Sequence, residues 1–397
     1  MSSPTTQAQH VEISLLSRGK KVYPLTYNLA YLEITDIKLP DLVLHNGSTL
    51  PVTPVGVEVI GKIDGRPKVT YLLGADNLAD LGEINTRLKQ VMLGSDIERF
   101  GLKNQLGDYA VDTEHLAGQT EMQPGEYTIL LLSQQVRIHY ISGARLDAVE
   151  VWVSVRQADE EQVVSLDIPL HFRDDQPPYL FPIRGDVLIM NQPLSYTHHR
   201  FGHSQEFAFD VTMTTHDETG THRTSRPSEA PILADFIIYR QPVHSVADGV
   251  VVAVVDLFPE EETVLPGPEI TKRLQEMHQR LGPKIGLMHA AYGNYIIVRH
   301  AEEEYAFYGH LNEHSMRVKV GDQVKAGQII ALVGGTGNSS EPHLHFELID
   351  RPDLLTANGL PIAFVDFDAS RTNQFTKKMN AFWASDRLYW HLPAIGE

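Results

Sequence analysis

The segment GGTGNSSEPHLHFELID, residues 334–350, runs from a glycine-rich polar turn into a short strand-like run with two histidines one residue apart. In an extended strand successive side chains point to opposite faces, so His343 and His345 share one face about 7 Å apart, while Leu344 and Phe346 share the other. One face is polar and the other apolar. Such a pair serves as two metal ligands, as one ligand beside one catalytic group, or as two surface histidines on an amphipathic strand. Gly334, Gly335 and Gly337 fit the tight turn that delivers the strand.

The rest of the chain narrows the choice. With no cysteine among 397 residues, neither a disulfide nor a thiolate-based metal site is available, and any metal falls to His, Asp or Glu. Lys and Arg number 33 against 51 Asp and Glu, a formal net charge of -18. That balance argues against nucleic acid and anionic membrane surfaces, which are bound by clustered cations. No stretch is long and apolar enough to span a bilayer, and the opening residues carry no apolar run of signal-peptide length. Oligomeric state has no sequence signal.

A mainly β chain is expected, in two domains. After an N-terminal tail (residues 1–25), residues 26–175 read as an accessory β-sandwich, with an immunoglobulin-like arrangement as one form of it. VGVEVIGKIDGRPKVTYLL holds two alternating runs around Asp64-Gly65, a hairpin signal, and DAVEVWVSV and QVVSLDIPLHF continue the alternation. One amphipathic helix is expected from Leu78 to Leu93. RDDQPPYLFP then reads as a Pro-rich linker near residue 176.

Beyond it, residues 178–365 alternate short strands with Gly, Asp and Asn turns, the pattern of a compact antiparallel sheet or barrel. Two inserts interrupt it: a polar loop at 212–231 and a short helix in GPEITKRLQEMHQRLGP. Residues 366–397 read as a C-terminal extension. In GHSQEFAFDV, Asp210 shares a strand face with Ala208, while Phe207 and Phe209 face the other way, so the carboxylate calls for a cation, donor or metal partner. FYGHLNEHS places His310 at the end of another strand.

GHSQEFAFD, PVHSVADGVV, GNYIIVRH, YGHL, VKVGDQVKAGQII and GGTGNSSEPHLHFE, in this order, resemble the lysostaphin-type or LytM-like zinc metallopeptidases of family M23, which cut peptidoglycan. The resemblance implies a β-rich LytM-type peptidase domain at 178–365. It implies Zn2+ held by His203, Asp210 and His345, with His310 and His343 as the catalytic pair and Asn294 and Tyr308 at groove positions. Three N and O ligands leave a tetrahedral ion one open position, as catalytic sites do. For the first ligand, His198 and His199 in THHRFGH compete with His203. The resemblance further implies peptidoglycan peptides as substrate and work outside the cytoplasm. Two rival readings are a noncatalytic scaffold or activator of wall remodelling, and a lipoyl-type carrier. The carrier's modifiable lysine at a hairpin tip is not evident.

Overall fold

The computed structural model describes residues 11–16, 20–29, 32–93, 113–174, 176–191, 199, 204–216, 222–261, 264, 269, 272, 276, 279–280, 291–354, 356–366 and 388–392. The chain divides into two compact units, Met1–Phe172 and Arg173–Glu397. Both are built mainly of antiparallel strands.

The described residues of the first unit form ten strands: β1 (Val11–Leu15), β2 (Leu25–Leu29), β3 (Leu32–Lys38), β4 (Leu42–Asn46), β5 (Thr53–Ile63), β6 (Arg66–Leu73), β7 (Tyr127–Leu130), β8 (Arg137–Ser142), β9 (Ala148–Gln157) and β10 (Glu160–Pro169). They form sheets in the orders β1-β4-β7, β2-β3-β8 and β10-β9-β5-β6. The immunoglobulin-like reading gains no support, because the strands fall into three sheets instead of two. In β9 the alternation is strict: Val149, Val151, Val153 and Val155 are buried, while Trp152 between them and Arg156 just beyond are exposed. Each valine so buried contributes about 1.5–3 kcal/mol. The β5–β6 hairpin turns through Asp64 at φ 50° and Gly65 at φ 70°. Positive φ at both central residues matches the twist of the flanking strands.

The expected helix divides into α1 (Ala75–Leu78) and α2 (Leu81–Leu93). Part of the supposed N-terminal tail is structural: β1 alternates apolar and polar residues and pairs along its whole length with β4. A five-residue strand whose partner lies some thirty residues away has no local turn to announce it.

The second unit is organised by an eight-stranded sheet. Its strands are β11 (Gly185–Asn191), β12 (Phe209–Met213), β16 (Gly249–Val255), β17 (Tyr295–Ala301), β18 (Glu304–Gly309), β19 (Gln323–Val324), β21 (Leu344–Ile349) and β22 (Leu388–Leu392). Their order is β19-β16-β17-β18-β21-β12-β11-β22. Two small pairs accompany it: β13 (Thr215–His216) with β14 (His222–Arg223), and β15 (Pro242–His244) with β20 (Ile329–Leu332). The insert at 212–231 is thus partly a hairpin, with Thr215 opposite Arg223. The expected helix of 267–283 falls almost wholly outside the described residues. The C-terminal extension supplies β22, which pairs with β11 at the sheet edge.

Candidate metal centre

β21 lies between β18 and β12, and all six of its residues are buried. The polar face of the HLH strand is therefore covered, not solvated. Register sets what meets on that face. His345 lies opposite Asp210 on β12 and opposite Gly309 on β18. A Cβ on Gly309 would come within 2.9 Å of Phe307, so glycine there leaves room for the Phe307 ring.

Asp210 is the hub. Its Oδ1 lies 3.0 Å from His345 Nδ1, its Oδ2 3.3 Å from His199 Nε2, and its Oδ1 3.7 Å from His343 Nε2. His199, Asp210 and His345 can each offer one atom such that all three atoms lie within 4.8 Å of one another. It is the one such group among the described residues, and its members are all buried. Two nitrogens and one oxygen, with no thiolate in the chain, suit zinc with a position left open. Burial alone would raise the Asp210 carboxyl, but the surrounding His199, His343 and His345 outweigh it and hold the group well below the usual carboxylate range. For His345 burial acts downward, while Asp210 and Glu347 push the imidazole up to about 9. An anionic hub ringed by imidazoles offers the donors a cation needs, and a bound cation would take the place of the His345 proton.

His310 and His343 stand alongside, their ring centroids 4.5 Å apart. His310 Nδ1 is 2.7 Å from the Thr336 carbonyl oxygen, and His343 Nδ1 is 2.8 Å from that of Glu341. A carbonyl only accepts, so each Nδ1 carries the proton and each Nε2 is left as the acceptor when the ring is neutral. Burial, then the neighbouring His343 and His345, hold His310 well below its ordinary pKa, in the neutral form. His310 also sits at φ 56°, an uncommon conformation for a residue with a Cβ. Its amide donates to the Tyr292 carbonyl, and its own carbonyl accepts from the Gly334 amide. Strain held by such ties is a recurrent feature of functional sites.

The residues under the site do the clamping. Asn294 Oδ1 accepts from the Leu257 and Phe258 amides, its Nδ2 donates to the Phe258 carbonyl, and its amide donates to Thr336 Oγ1. Tyr308 is equally buried and accepts from the Val246 amide. The groove positions implied by the resemblance are thus corrected: both side chains are fully enclosed and committed to backbone, so they brace the site from beneath. Glu260 adds a second brace, accepting from the Gly335 amide at 2.7 Å, from Tyr239 Oη at 2.7 Å and from Asn312.

Of the expected residues, Asp210, His345, His310 and His343 converge, and His203 lies outside the described residues. The histidine that the structure brings to the cluster is His199, the competitor in THHRFGH. Sequence reasoning passed over Tyr292, whose ring packs 5.0 Å from that of His345, and Glu347. Glu347 carried a signal, since it lies two residues beyond His345 and so on the same strand face.

The three donors lie together and buried, with two imidazoles of fixed tautomer beside them. Residues 284–358 match the sequence profile of peptidase family M23. Peptidoglycan DD-endopeptidase ShyB of Vibrio cholerae is 38% identical over 97 residues, 24% of this chain and 22% of that protein. Murein hydrolase activator EnvC of Escherichia coli is 44% identical over 57 residues, 14% of this chain and 13% of that protein. This chain therefore spans under a quarter of the length of these curated relatives. Among solved structures, the catalytic domain of lysostaphin from Staphylococcus simulans aligns at a TM-score of 0.21 and 23% identity, covering 34% of this chain and 85% of that one. The catalytic domain of the M23 protein EnpA from Enterococcus faecalis aligns at 0.24 and 20%, covering 48% and 92%.

Proposed function

We propose that this chain is a zinc-dependent endopeptidase that hydrolyses peptide bonds in peptidoglycan stems or cross-bridges, outside the cytoplasm. His199, Asp210 and His345 would hold the ion, and His310 and His343 would handle protons. The observation that carries the reading is the buried convergence of the first three within 4.8 Å, beside two imidazoles whose tautomers are set by backbone carbonyls. Bound zinc would polarise a peptide carbonyl and acidify a water.

The chain's own residues do the rest. Asp210, held anionic, supplies the negative charge that draws a cation into a buried site. His310, held neutral with its proton on Nδ1, offers Nε2 to accept a proton from the attacking water. Only with a second proton, on Nε2, would His343 donate a hydrogen bond to charge that develops on the carbonyl oxygen, its Nδ1–H staying on the Glu341 carbonyl. The substrate class rests on relatives named as peptidoglycan DD-endopeptidases.

A second reading, a noncatalytic activator, is favoured by the relative named as a murein hydrolase activator. The two part on chemistry, because an activator has no need of a three-donor cation site.

The test is to load the purified full chain with zinc, incubate it with sacculi of different cross-link chemistry and analyse the fragments by mass. Release of peptide fragments by the parent, and none by Asp210→Ala, supports the endopeptidase. Stoichiometric zinc with no fragments from any sacculus overturns it in favour of the activator. In the same series His199→Ala should lose zinc and His203→Ala should keep it, and the reverse result transfers the ligand role to His203.

A further inference from the structure

Behind His345, on the side away from Asp210, lies a group that the chemistry above does not use. Glu347 is fully buried, and neither of its carboxylate oxygens has a hydrogen-bond partner. The walls are largely apolar or aromatic: Phe307 lies opposite Glu347 in the β18–β21 register, and the Tyr292 ring packs 4.7 Å from Phe307 and 5.0 Å from His345. Burying an unpaired carboxylate costs several kcal/mol, so a fold that retains one needs a compensating interaction. A complementary group stands nearby. His345 Nε2 is itself buried and without a hydrogen-bond partner, and it lies 3.8 Å from Glu347 Oε2.

Two orphaned and complementary atoms face each other across less than one ångström of excess distance. On the opposite edge of the same ring, Nδ1 points at the Asp210 carboxylate. The two edges of one imidazole thus address two carboxylates, one inside the donor cluster and one outside it. A ring nitrogen ligates only through its lone pair, so the proton must be kept on the other nitrogen.

We infer that Glu347 is a positioning residue that accepts the Nε2–H of His345, fixes the ring's orientation and tautomer, and so presents Nδ1 as the metal donor. The inference rests on the metal reading given above. It also explains the burial of the glutamate: the strand that delivers the ligand delivers the group that orients it, two residues on and on the same face. Phe307 and Tyr292 exclude water that would otherwise satisfy both atoms.

The experiment compares zinc affinity, by competition with a chromophoric chelator, for the full chain and its Glu347→Gln, Glu347→Leu and Asp210→Ala variants. Partners of this kind commonly account for 10- to 100-fold in metal affinity, so Glu347→Leu should bind zinc at least about tenfold more weakly. Glu347→Gln keeps a neutral acceptor and nearly the same shape, so it should fall between that variant and the parent. Nitrogen-15 NMR of histidine-labelled, zinc-loaded protein supplies a second readout: the His345 Nε2–H resonance should move in Glu347→Gln while those of His310 and His343 stay. Parent affinity and an unmoved resonance in Glu347→Gln would overturn the positioning role, and that near-isosteric variant decides the matter even if Glu347→Leu does not fold. Asp210→Ala separates the two readings. If it abolishes binding and the Glu347 variants do not weaken it, only the positioning role fails, whereas unchanged zinc binding in Asp210→Ala brings down the metal site itself.

Discussion

Replacing Gly337 by alanine should injure the site without touching any ionisable group. Gly337 sits at φ 78°, and a Cβ there would lie 2.4 Å from the Gly293 nitrogen, 2.6 Å from the Ala291 oxygen and 2.8 Å from the Gly293 Cα. All three are backbone atoms, which cannot rotate away. The left-handed conformation costs an L-residue about 1–2 kcal/mol, and overpacking of this kind costs about 1–3 more, so the sum is about 2–5 kcal/mol. Gly321 provides the comparison, because it has φ 93° but nothing within 4 Å of its Cβ position. Gly321→Ala should therefore cost only the conformational part. Because the chain has two units, a single unfolding midpoint is not a safe measure. Hydrogen exchange followed by mass spectrometry on peptides from 291–349 reads the local stability directly. Gly337→Ala should also lower hydrolysis, since the turn it distorts carries the Thr336 carbonyl that fixes the His310 tautomer. Equal protection losses in the two variants would refute the argument, as would full activity in Gly337→Ala.

Two further outcomes are expected. His310→Ala and His343→Ala should retain zinc and fold while losing hydrolysis by a factor of about a hundred or more, measured as initial rates beside metal content, and loss of zinc in either would make it a ligand. The metal-stripped chain should lose stability as the pH rises. His345 is pushed up to about 9 when folded, above an unfolded value near 6.5, so its contribution is fully present below about pH 6.5 and disappears as the pH passes about 9. Thermal unfolding of chelator-treated protein across that window checks the sign, and a rise in the midpoint through it would contradict the assignment.

What the sequence disclosed about the site follows the period of a strand. His343 and His345 could be placed on one face because alternation is a local rule, and Asp210 could be singled out because a carboxylate among phenylalanines needs a partner. THHRFGH gives no such ruling: it offers three histidines, two of them four residues apart, and nothing local to the segment says which one meets Asp210. Asn294 and Tyr308 were misplaced for a related reason. A motif position says that a side chain is near the site and leaves open whether it is above or below the sheet. In the fold, the hairpin at Asp64-Gly65 and the alternation of β9 were legible from local chemistry. β1 and β22 were not, because each is a short strand whose partner lies far along the chain.

The contact between His345 and Asp210 joins residues 135 positions apart. Closing a span of that length has an entropic cost that local structure cannot offset, so the two side chains meet only once β21 has entered the sheet between β12 and β18. Until then β12 carries Asp210 without His345, and the three-donor cluster is incomplete. A ribosome-bound chain that has emerged through β18 but not β21 therefore lacks one of the three donors of the proposed metal site. The proposed site is therefore completed only when a strand more than a hundred residues downstream of β12 takes its place in the sheet.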